Sequence, residues 1–258
     1  MTQSERRLFL IQYLKAESSR YRELEIPRTA AEQFWLYRSL VNVRPPQPIS
    51  EEYLRVEDAF LQEETRRKGI TSVEDLTPLQ PDIYLWQGDI TALAADGIVN
   101  AANSDMLGCF YLCHSCIDNC IHTFAGVRLR LKCLEIMNAQ TYDKEPTGLA
   151  KITPAYNLPS RYVLHTVGPI YGTVQESEAA ELLKSCYTEC LRLANEYELD
   201  SLAFCCISTG EFRFPNEAAA QIAVDTVKDY KAQTGSSIKV IFNVFKDKDR
   251  EIYEQLLR

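Results

Sequence analysis

Histidine is scarce in this 258-residue chain: there are three, with three methionines and two tryptophans. No apolar run approaches the roughly 20 residues that a membrane-spanning helix needs. The polar opening MTQSERR lacks the pattern of an export signal. These absences point to a chain with no membrane partner and a cytoplasmic location. Positive charge is short as well, with 28 Lys and Arg against 36 Asp and Glu, a net charge of -8. That balance argues against broad nucleic-acid binding, where a basic face supplies most of the affinity. A small anionic ligand stays open, because backbone amides and helix N-termini hold phosphates without a basic surface.

Cysteine, in contrast, is plentiful. There are nine, an odd number, unevenly spread in a chain too large to need stapling. Free or metal-bound thiols in a reducing compartment fit this better than a disulfide framework. Four of the nine, and two of the three histidines, fall in GCFYLCHSCIDNCIH, residues 108–122. Zinc takes thiolate and imidazole, and catalytic sites usually supply three protein ligands and leave one position open. Cys109, His114 and Cys116 offer such a set. Cys113 competes, since a fourth ligand would close the site and make it structural. Cys113 and Cys116 also form a Cys-x-x-Cys pair, although the strand-turn-helix setting of a redox motif is missing. Cys120, Cys133, Cys186, Cys190, Cys205 and Cys206 read as small buried apolar residues.

The chain divides by texture. Residues 1–75 read as helices and connectors, with RPPQPIS at 44–50 as a breaker and Ser50 as an N-cap for the helix that follows. From residue 76 onward, β-rich runs at 83–87, 97–103, 162–168, 202–208 and 240–245 alternate with helical stretches at about 116–139, 177–198, 215–233 and 249–257. Such alternation implies an α/β fold with a largely parallel or mixed sheet covered on both faces. Ligands in such sheets bind at the carboxyl ends of the strands. Asp89, Asn103, Ser208-Thr209-Gly210 and Asn243 all follow or end such runs.

WQGDITALAADGIVNAANS, GLAKITPAYNLPSRYVLHTVGP and CISTGEFRFP, in this order, resemble the macrodomain family, whose α/β/α module binds ADP-ribose. The resemblance covers roughly residues 82–258. Where most hydrolytic macrodomains carry a glycine-rich loop, this chain has the cysteine-rich stretch. That substitution is similar to the zinc-dependent subclass, which also carries an N-terminal helical extension. The subclass pattern Cys-x4-His-x-Cys implies Zn2+ on Cys109, His114 and Cys116, and the present chain departs from it by the additional Cys113.

The resemblance also implies a substrate site. Asp89 is similar to the adenine-reading aspartate, with the Ile90 amide beside it; the competing role for Asp89 is a helix cap. Ser208, Thr209, Gly210, Glu211 and Phe212 resemble the diphosphate loop, with Phe212 against the distal ribose. Phe245 or Val244 would flank the adenine, although either phenylalanine could be core. Asn103 matches the ribose-contacting asparagine, whereas Asn100 reads as structural. Asp118 matches an aspartate that precedes the helix in hydrolytic members, and its competing role is to cap that helix. His122 and His165 read as structural. The expected activity is zinc-dependent removal of mono-ADP-ribose from modified protein, with Asn103 and Asp118 as catalytic residues. A non-catalytic reader of ADP-ribose with a structural zinc is the alternative. The resemblance further implies a partner system in which a sirtuin-like transferase modifies a lipoyl-carrier protein.

Overall fold

A computed structural model describes all 258 residues. Three helices come first: α1 (Gln3–Ala16), α2 (Ala30–Val43) and α3 (Glu51–Lys68). Each begins on a hydroxyl cap, Thr2, Thr29 and Ser50, whose oxygen accepts a backbone N–H of the first turn. Glu5 and Glu32 complete capping boxes at the first two. The helices enclose a core of their own around Leu10, Ile11, Tyr37, Tyr53, Phe60 and Leu61, which Val127 joins from outside.

The remainder is a three-layer α/β/α arrangement. β1 (Thr71–Ser72) pairs only with β4 (Leu93–Ala94). The main sheet has seven strands: β2 (Pro78–Gln80), β3 (Ile83–Gln87), β5 (Gly97–Ala101), β6 (Ala150–Pro154), β7 (Tyr162–Thr166), β8 (Ser201–Phe204) and β9 (Lys239–Val244). Their order is β2-β3-β9-β8-β5-β7-β6, parallel inside and antiparallel at both edges. The inner strands are Val-, Ile- and Leu-rich and buried, as a sheet covered on both faces requires. α6 (Glu176–Glu196), α7 (Asn216–Thr234) and α8 (Asp247–Leu257) pack side by side as one layer. α4 (Ile117–Ala125) and α5 (Val127–Ala139) pack on each other, and α4 meets α2 and α3. No helix is long and apolar enough to cross a membrane.

Two features depart from the sequence reading. The edge strands β2 and β6 were not anticipated; both are short and carry proline, which edge positions tolerate. The helix expected over 116–139 is two helices, broken at Gly126. Gly126 adopts a φ of +90°, and a Cβ there would lie 2.7 Å from the Glu57 carboxylate. Glu57 of α3 is the reason for the break. Its Oε2 accepts the Val127 N–H at 2.9 Å, capping α5, while Tyr37 and Tyr53 hydroxyls donate to Oε1 at 2.8 and 3.1 Å.

Glu57 is fully buried, and that burial, opposed by its three hydrogen bonds, pushes its carboxyl up to about 7. The folded state therefore holds a proton that the unfolded chain releases near its ordinary value of 4.5. Stability from this group is complete below that value and is lost as pH rises through about 7. Unfolding by urea between pH 5 and 8 should show a decline that Glu57→Gln lacks, on the order of 3 kcal/mol across the window. Identical slopes in the two proteins would show that Glu57 titrates as it does in water.

Candidate functional site

The loops at the carboxyl ends of the parallel strands gather the residues singled out above. Asp89 follows β3 and caps the short turn Ile90–Ala92; its Oδ1 accepts from the Thr91 amide at 2.9 Å and the Thr91 hydroxyl at 2.6 Å. The helix-cap role is therefore real. It leaves Oδ2, which takes the ammonium of Lys68, the last residue of α3, at 2.7 Å. Burial raises the Asp89 carboxyl, but Lys68 and Thr91 outweigh it, and the net shift is downward. The side chain is 39% exposed, so an anionic acceptor faces the cleft. The Ile90 side chain is buried, leaving only its backbone for a ligand. Of the two flanking candidates, Val244 is in the core and Phe245 is 76% exposed.

The loop after β8 is shaped for an anion. Ser208 sits in the left-handed region (φ 65°), its carbonyl accepts from the Phe214 amide at 2.9 Å, and its hydroxyl is buried without a partner. Gly168 makes the close approach possible: a Cβ there would meet Ser208 Oγ at 2.0 Å. Thr209 turns inward to the Cys206 carbonyl, and Arg213 closes on the Gly210 carbonyl at 3.0 Å. Between them, the amides of Gly210, Glu211 and Phe212 donate to nothing in the protein. Consecutive free N–H groups in such a turn form a nest for phosphate oxygens. The half-buried Phe212 is tied by its carbonyl to the Tyr171 amide at 2.9 Å.

Asn103 follows β5 and opens the cysteine-rich loop. Its Nδ2 donates to the Gly108 carbonyl at 3.1 Å, and its Oδ1 accepts the Asp105 amide at 3.0 Å. Beyond Gly108, the ligand atoms of Cys109, His114 and Cys116 lie within 4.8 Å of one another. Cys109 Sγ is 3.7 Å from His114 Nδ1. Zinc–sulfur and zinc–nitrogen bonds of about 2.3 and 2.0–2.1 Å at a tetrahedral angle put two donors roughly 3.6 Å apart. The donor set and its spacing fit zinc. Burial, joined by Cys109 and Asp118, pushes the Cys116 thiol up to about 12, so a thiolate here needs a cation. Cys116 also caps α4, receiving the Asn119 amide at 3.4 Å. His114 turns Nε2 toward Glu211 Oε1 at 3.6 Å, so the cysteine-rich loop and the loop after β8 meet.

Cys113 is held apart from this group. Its backbone takes a φ of 49°, its amide donates to Asn42 Oδ1 at 2.9 Å, and its thiol points to the Trp35 carbonyl at 3.5 Å. It neither joins the three donors nor pairs with Cys116.

Asp118 is placed differently from the sequence reading. Cys116 takes the cap position, and Asp118 is the second residue of α4, 4% exposed. Its Oδ1 accepts from Asn100 Nδ2 at 2.8 Å, and its Oδ2 has no partner. Burial pushes its carboxyl up to about 6 against the pull of Asn100 and Arg130. Asn100 also faces His165 Nδ1 at 3.1 Å, and His165 Nε2 meets Thr153 Oγ1 at 2.9 Å. With both nitrogens engaged and burial holding it at about 3, His165 is structural. His122, Cys133 and His165 also cluster, but the occupied nitrogens of His165 make a second metal triad a poor account of them. Asp118, Asn100 and His165 form a buried polar array behind the loop.

Sequence reasoning missed Arg38, Asn42, Lys68 and Asn119, all of which touch these loops. In sequence they are ordinary polar residues of helices, and only tertiary packing reveals them.

The Macro domain family matches residues 99–223. A protein-ADP-ribose hydrolase of Treponema medium is 56% identical, covering 100% of both chains. One from Staphylococcus aureus (strain MRSA252) is 49% identical over 96% of this chain and 93% of its own. The crystal structure of a Trypanosoma brucei macrodomain in complex with ADP-ribose superposes with a TM-score of 0.66 at 28% identity, over 86% of this chain and 95% of that one. With 56% identity over its full length to a protein-ADP-ribose hydrolase and a match to the Macro domain model, the chain belongs to the macrodomain family of protein-ADP-ribose hydrolases.

Proposed function

We infer that the chain is a zinc-dependent hydrolase that removes mono-ADP-ribose from modified protein. Residues 1–75 form a helical extension and residues 76–258 the macrodomain, a division that the two separate apolar cores support. Removal of ADP-ribose from protein rests on the hydrolase relatives; the zinc dependence rests on one observation, the convergence of Cys109, His114 and Cys116 at the end of the cleft opened by Asn103. A cytoplasmic setting suits the nine free thiols. The acceptor in this reading is a lipoyl-carrier protein modified by a sirtuin-like transferase, as in the zinc-dependent subclass that the cysteine-rich loop resembles.

The chemistry follows from the order of the loops. Asp89 accepts the adenine amine and the Ile90 amide lies beside it. Ser208 and Thr209 shape the turn, and the amides of Gly210, Glu211 and Phe212 hold the diphosphate. The distal ribose then lies between the Phe212 ring and Asn103. Cleavage breaks the bond from the anomeric carbon to the acceptor side chain, water supplies the new oxygen, and a proton goes to the leaving group. Positive charge develops on the ribose as it does in glycoside cleavage. Zinc on Cys109, His114 and Cys116 would supply Lewis acidity to a ribose hydroxyl or to water, whose pKa it can lower to about 7. Asn103 orients the ribose by hydrogen bonding. Asp118, buried behind the loop, favours the developing positive charge without touching the sugar.

Freshly purified protein should hold close to one zinc. Cys109→Ser, His114→Ala and Cys116→Ser should each lose most of it, because hydroxyl and methyl groups do not replace thiolate and imidazole. Cys113→Ser should keep it. Metal analysis showing loss from Cys113→Ser and retention in Cys109→Ser would assign a different donor set.

Asp89→Ala should leave zinc in place and weaken ADP-ribose binding about tenfold or more, since a charged hydrogen bond contributes about 1.5–3 kcal/mol. Calorimetry giving an unchanged affinity would reduce Asp89 to a cap and a partner for Lys68.

Asn103→Ala and Asp118→Asn should slow release of ADP-ribose from modified protein far more than they weaken binding of free ADP-ribose. Groups that act on developing charge contribute little to the ground-state complex. Chelation should slow release in the same way, and added zinc should restore it. If zinc-loaded wild-type protein binds ADP-ribose but releases none from any mono-ADP-ribosylated acceptor, the chain is a reader and its metal only shapes the loop.

A further inference from the structure

We propose that α2 of the helical extension is part of the metal site, with Arg38 and Asn42 as positioning residues for the loop that carries the donors. The proposal rests on the zinc reading above. Arg38 Nη2 donates to the carbonyl of His114 itself at 2.6 Å, and to Asn119 Oδ1 at 2.9 Å. The same Asn119 side chain donates to the carbonyls of Cys109 at 3.3 Å and Tyr111 at 2.9 Å, and its amide meets Cys116 Sγ. The Arg38 guanidinium and Asn119, through both its carboxamide and its backbone N–H, therefore touch the backbone or sulfur of all three donors.

Asn42 holds the loop from the other side. Its Oδ1 accepts the Cys113 amide, fixing the residue with the left-handed backbone, and its Nδ2 donates to Thr123 Oγ1 at 3.0 Å. Thr123 in turn donates to the Asn119 carbonyl at 2.7 Å. Arg38 is 8% exposed and Asn42 1%, so these bonds are shielded from competing water. A non-glycine residue at positive φ is unfavourable and persists where its surroundings over-determine it. Here Asn42 does so, and the turn it fixes at Cys113 brings His114 back beside Cys109.

Partners behind a metal ligand fix its orientation, and their removal typically weakens metal binding about 10–100-fold. Arg38→Met keeps the volume and donates nothing; Arg38→Lys keeps a donor and a charge; Asn42→Ala removes the hold on Cys113. Zinc transfer to a chromophoric chelator should be about tenfold or more faster in Arg38→Met and Asn42→Ala, with Arg38→Lys intermediate. Loaded with cobalt instead, both should show visible bands displaced from wild type, while free ADP-ribose affinity stays within about threefold because the adenine and diphosphate loops are untouched. Wild-type transfer rates and cobalt bands in Asn42→Ala and Arg38→Lys would overturn the proposal, even if Arg38→Met fails to fold. Loss of ADP-ribose binding along with the metal would also overturn it, since that pattern means general loosening. A wild-type protein that takes up neither metal would instead defeat the zinc reading itself.

Discussion

Residues 102–116 run between β5 and α4 without regular structure, and a loop of that length must still satisfy its buried backbone groups. Asn119 meets this constraint. Fully buried at the start of α4, it turns its amide back on the carbonyls of Cys109 and Tyr111 and gives its oxygen to Arg38. Helix, loop and extension are joined at this side chain. The convergence of two thiols and an imidazole goes with how the loop is pinned from α2 and α4.

The same economy governs the other end of the cleft. Lys68, the C-terminal residue of α3, pairs with Asp89 and lies 3.3 Å over the Phe124 ring. A helix C-terminus favours a cation in its last turn, and Asp89 provides that cation with its anion. The extension thus reaches this face at two points, through α2 at the cysteine-rich loop and α3 at Asp89. Glu57, between these contacts, caps α5 and seats the extension against the macrodomain.

What could be read from the sequence was what depends on local pattern. Alternating strands and helices put Asp89, Asn103, Ser208-Thr209-Gly210 and Asn243 at the carboxyl ends of the strands, because parallel strands end on the same side. The density of thiol and imidazole in 108–122 marked the loop. Illegible were the features set by distant partners. The break at Gly126 depends on a glutamate some seventy residues earlier. For Asp118 the sequence offered a catalytic role with helix capping as its competitor; Cys116, two residues earlier, takes the cap, and the carboxylate turns inward to Asn100. Arg38 and Asn42 are polar residues on a helix, and their burial against the loop has no local signature.

The charge balance of the cleft ties these observations to catalysis. The free amides of Gly210–Phe212 favour negative phosphate, and carboxylates lie around them: Asp89 paired with Lys68, Glu211 beside His114, and Asp118 behind the cysteine-rich loop. A ligand that is anionic in its middle and becomes cationic at one end would meet free N–H groups at its middle and carboxylates toward that end. Electrostatic preorganisation of this kind acts where charge appears during the reaction and needs little rearrangement when it does. It also explains why the loop is clamped so firmly from outside. A divalent cation on Cys109, His114 and Cys116, as proposed above, would be neutralised by its two thiolates, so its effect on a sugar would depend on where the loop puts it, and Arg38 and Asn42 hold that loop.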